Sequence, residues 1–78
     1  MAEMQGGLAM ATITTLGIAP AKRHSGVEVQ IEVRTSTGRF TFPFEFEDQG
    51  SLVANEQQAR RELRTFLQEA LEALETQS

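Results

Sequence analysis

The chain has no cysteine, no tryptophan and no tyrosine, only two prolines and a single histidine. Without cysteine there is no disulfide framework, no thiolate zinc site and no thiol nucleophile. The lone histidine, His24, is too little for a typical zinc site. No apolar run approaches the ~20 residues that a membrane span needs. The opening stretch MAEMQGGLAM lacks the charged start and continuous apolar core of a secretory signal. A soluble, cytoplasmic protein is the expectation.

Charge of positive sign is also scarce. Seven basic side chains face eleven acidic ones, for a net charge of −4. That balance opposes the phosphate attraction behind non-specific nucleic-acid binding, and it favours solubility. Catalytic patterns are missing as well: no second histidine, no phosphate-cradling glycine loop and no metal-ligand spacing. Ser25 follows His24 directly, but a triad is a spatial arrangement and sequence adjacency does not make one. No enzyme, cofactor or metal site is expected.

Seventy-eight residues make one domain. A chain this small buries only roughly 60% of its unfolded surface, so stability is thin. Disulfides, a metal or oligomerisation usually supply the remainder. With the first two set aside, self-association gains weight by elimination.

What is present is strong periodicity. Residues 1–10 have no clear period and read as a flexible tail, leaving residues 11–78 as one small domain. A first strand is expected at about 11–18, rich in Thr and Ile. Its alternation is imperfect, which predicts a bulge near Thr15 or Gly17, and Pro20 ends it. The stretch GVEVQIEVRT places Val27, Val29, Ile31 and Val33 on one face and Glu28, Gln30, Glu32 and Arg34 on the other. Period two with one wet face is the antiparallel pattern and predicts a strand at about 27–35. RFTFPFEFED repeats it with Phe40, Phe42, Phe44 and Phe46, predicting a third strand at about 40–47. TSTG between the two marks a hairpin turn.

Pro43 bears on the register. A four-residue loop from Ser36 to Arg39 sets Val33 opposite Phe42 and Glu28 opposite Glu47, and it turns the Pro43 nitrogen away from its neighbour. The third strand is then an edge, the strand order is 1-2-3, and proline blocks further pairing there.

A helix is expected at about 56–75, with Asn55 as cap and Gln58 three residues on. Ala59, Leu63, Phe66, Leu67, Ala70, Leu71 and Leu74 fall on one side of it. Their arc spans about 160° at 100° per residue, wide enough for the sheet and for a partner. The fold class is therefore α+β: a three-stranded antiparallel meander with one long C-terminal helix packed on one face.

Eight large apolar side chains on one sheet face must then be covered. Each is worth roughly 1.5–3 kcal/mol when fully buried, so exposing all of them would outweigh a small domain's net stability. The phenylalanines read as core and not as a stacking platform, because acids and not bases adjoin them.

Three surface features compete for a role. Lys22, Arg23 and His24 form the densest basic cluster, suited to phosphate or to an acidic partner. Glu28, Glu32, Glu45 and Glu47 line the outer sheet face, suited to a basic partner. Along the helix, Arg60, Arg61 and Arg64 come early while Glu69, Glu72 and Glu75 come late. That order opposes the helix dipole. A second copy laid antiparallel would set arginines against glutamates twice about a two-fold axis. The expected function is a non-enzymatic protein-interaction or regulatory module, homodimeric, with an unidentified protein partner. The alternative is a nucleic-acid-binding protein using the Lys22-Arg23-His24 loop and the helix arginines.

Overall fold

A computed structural model of the protein describes residues 11–22 and 25–77. The expected tail, residues 1–10, and the Arg23 and His24 of the basic cluster lie outside the described residues. Three antiparallel strands form one open sheet in the order β1-β2-β3, with one long helix packed against it. The strands β1 (Thr12–Pro20), β2 (Val27–Thr35) and β3 (Gly38–Phe46) have nine residues each, and the helix α1 (Leu52–Gln77) has 26.

The bulge falls where the broken alternation predicts it. Thr15 pairs with Ile31 and Gly17 with Gln30, so Leu16 has no partner across the ladder. The extra residue brings Ile13 and Ile18, which have opposite parity in sequence, onto the same face as Val33 and Val29.

The hairpin corrects the expected register by two residues. Thr35 pairs with Gly38, leaving a two-residue loop of Ser36 and Thr37, so Val33 stands opposite Phe40 and Glu28 opposite Glu45. Thr35 itself shapes the turn, because the Thr37 amide donates to its Oγ1 at 3.2 Å and the two hydroxyls lie 3.0 Å apart. Gly38 is a strand residue and not a turn residue. A Cβ there would sit 2.9 Å from Cε2 of Phe40, so the Phe40 ring occupies the space that a side chain would take. A shift of two preserves the faces. Pro43 is opposite Gln30. Counting alternate pairs from the turn makes this a non-hydrogen-bonded position, with the proline nitrogen turned to the open edge.

The helix begins four residues earlier than its apolar period suggests. Ser51 is the cap: its Oγ accepts the Ala54 amide at 3.1 Å, and its carbonyl accepts the Asn55 amide at 2.9 Å. Gly50, with φ of 102°, makes the reversal that precedes it. Asn55 is not a cap. It lies buried in the helix, where its Oδ1 accepts the Gln49 amide at 2.7 Å and its Nδ2 donates to Asp48 at 3.2 Å. The loop between sheet and helix is thus tied to the helix it leads into.

The core is smaller than expected. Val29, Ile31, Ala59 and Leu63 are buried, and Ile18, Val27, Val33, Phe42, Phe44 and Phe46 pack partly around them. Phe42 stacks on Phe44 with centroids 6.1 Å apart and meets Phe66 at 5.2 Å. Phe40, expected inside, is 60% exposed. The reason is geometric. Twenty-six helical residues span about 39 Å at 1.5 Å each, whereas a nine-residue strand spans about 30 Å. The helix seats its first half on β2 and β3 and carries its second half past the cover that the sheet can give.

Candidate interaction surface

The apolar arc of α1 divides at Leu63. Before it, Asn55, Ala59 and Leu63 are buried against the sheet. After it, Leu67, Leu71 and Leu74 are 43%, 55% and 67% exposed, and Phe66 is about half exposed. The sequence reading set these residues on an arc broad enough for the sheet and for a partner, and the sheet covers only its first part. Because α1 packs on β2 and β3, the flank toward β1 is left open. A groove of about 410 Å³ lies there, with Ile13 of β1 on one side and Leu63, Leu67 and Leu71 of α1 on the other. Arg60, Arg64 and Gln68 form its polar rim. Near the helix end, Ala70, Ala73, Leu74 and Gln77 line a second hollow.

One hydrogen bond closes the upper end of the β1 flank. Thr15 Oγ1 donates to Glu56 Oε2 at 2.7 Å, and Arg60 approaches the same oxygen at 3.5 Å. The Thr15 hydroxyl holds the Glu56 carboxyl below its ordinary value of 4.5; burial opposes it, and Arg60 adds a lesser lowering. Asp48 is likewise held below its ordinary 3.8, by the Gly50 amide first and the Asn55 side chain second.

The structure distributes the sequence candidates unevenly. Lys22, Glu28, Pro43 and Glu45 border one shallow hollow on the outer sheet face. Glu28 is 9% exposed there, and it accepts a hydrogen bond from Gln30 Nε2 at 3.2 Å, so it is not the solvated side chain that was expected. Glu32 lies further along, between Arg34 at 3.9 Å and Arg39 at 3.6 Å. Glu47 is exposed beyond the end of β3. The four carboxylates therefore form no cleft, and among the described residues no group of three acidic or histidine side chains could hold a metal ion. On α1, Arg61 donates to Gln58 Oε1 at 2.9 Å, Arg64 lies on the groove rim, and Glu69 and Glu72 are exposed on later turns.

Sequence reasoning missed Ile13 as half of a groove. The available signal was the 160° arc, broader than one sheet contact requires. Among the described residues no helix is long and apolar enough to cross a membrane. In comparisons with known protein families, curated proteins and solved structures, the chain matches none.

Proposed function

We propose that the protein is a non-enzymatic interaction module of the cytoplasm that works as a homodimer. One observation carries this reading: a leucine stripe on α1 stays about half exposed although the same helix already covers a sheet. Contiguous apolar surface of this kind marks a site of association. Burying the rest of Ile13, Phe66, Leu67, Leu71 and Leu74 on two chains would gain roughly 8–15 kcal/mol gross. Association itself costs about 4–15 kcal/mol. The margin is narrow, so the dimer should depend on concentration in the micromolar range.

The non-enzymatic reading rests on the lack of a nucleophile and base set in the sequence. Nucleic-acid binding draws less support, because the net charge of −4 opposes phosphate attraction. Sedimentation across a concentration series should show a monomer–dimer equilibrium that added salt weakens. A monomer persisting at high micromolar concentration would overturn the proposal.

A further inference from the structure

We infer that a second copy of this chain fills the groove between β1 and α1, with its helix antiparallel to the first and the two-fold axis passing at Leu67. This rests on the homodimeric reading and specifies the surface and its geometry. Two independent patterns along α1 share one centre. In the first, Leu63 and Leu71 lie four residues to either side of Leu67. A two-fold there brings each Leu67 to its own copy and sends the partner's Leu71 into the groove beside Leu63 and Ile13. In the second, Arg61 lies six residues before Leu67 and Glu72 five after, while Arg60 lies seven before and Glu75 eight after. The same axis sets Arg61 beside the partner's Glu72 and Arg60 beside the partner's Glu75, twice over. A centre derived from leucines and a centre derived from charges need not coincide, and here they do.

The helical angles agree with this placement. At 100° per residue, Arg60, Leu67, Leu71 and Glu75 share the flank that borders the groove, with Arg61 and Glu72 just outside it. Glu69 falls on the opposite flank, so that member of the acidic series has no part in the contact. An isologous interface demands that a surface complement itself under rotation. The groove supplies a hollow and a leucine ridge on one surface, with the charges of α1 reversed about their midpoint. Because α1 starts at Leu52, Arg60 stands more than two turns inside it, beyond the reach of the helix dipole, so the charge order counts between two chains more than within one.

A chain without cysteine makes the test direct. Leu67→Cys should form an intermolecular disulfide under mild oxidation, since only residues on the axis meet their own copies at bonding distance. Glu69→Cys should not. Independently, Arg61→Glu should raise the dimer Kd about tenfold at low salt, and adding Glu72→Arg should restore it. Because Arg61 and Glu72 are exposed, the reversal reads the interface even if a Leu67 variant folds poorly. A wild-type dimer in which Glu69→Cys crosslinks and Leu67→Cys does not would overturn this arrangement alone. Unchanged dimerisation in the charge reversal would do the same. A wild-type monomer would overturn the homodimeric reading beneath it.

Discussion

Asn55 shows how much one side chain can organise. It is 3% exposed, and its two polar atoms take the Gln49 amide and reach the Asp48 carboxylate. Asn55→Ala leaves that amide without its acceptor in a partly buried place. The expected cost is about 1–3 kcal/mol, read from urea unfolding midpoints. A loss near zero would mean that water replaces the amide freely. The sequence singled out Asn55 but gave it the wrong task. Asn, Asp and Ser are all good caps, so the chain 47–55 offered three candidates of nearly equal propensity. What decided between them was burial, which no local pattern encodes.

At the scale of elements, the strands were legible and their offset was not. β2 reads directly from period two, and the bulge in β1 follows from its broken parity. The hairpin register depended on assigning Gly38 to the turn. Glycine usually marks one, but here Phe40 folds its ring over Gly38 and Thr35 supports the turn with its hydroxyl. The start of α1 was missed because Leu52 and Val53 are exposed and extend no buried stripe. The core itself was overestimated, since periodicity identifies a face without saying how far its cover reaches. Two substitutions measure that difference. Ile31→Ala, at a wholly buried position, should cost about 2–5 kcal/mol, whereas Phe40→Ala should stay within about 1 kcal/mol. Equal losses would place the Phe40 ring inside the core after all.

For the molecule as a whole, the two perturbed carboxylates set a pH dependence. Asp48 and Glu56 are both held below their ordinary values of 3.8 and 4.5, Asp48 by the nearby Gly50 amide and then Asn55, Glu56 by Thr15 across the fold. Their ionised forms therefore bind more strongly in the native state. The stability they supply is complete at neutral pH. It begins to fall as pH drops below 4.5, and it is lost as pH passes through the lowered native values. Urea midpoints from about pH 7 down to about pH 3 should trace that decline, and Glu56→Gln should flatten part of it. Of the candidate surface, the charge order along α1 was visible in sequence, because it is one-dimensional. The groove was not, because it joins residues 13 and 71 across the sheet.

The two rims of the sheet are unlike. β3 presents Pro43, Arg39 and Glu45, whereas β1 carries no charge and no proline before its last residue. Strand addition needs a free ladder at both ends to polymerise, and this molecule has only one. Any docking on that rim consumes it in both participants, so growth terminates at a pair. The bulge at Leu16 interrupts that margin as well, so neither rim offers an unbroken template for a growing fibre.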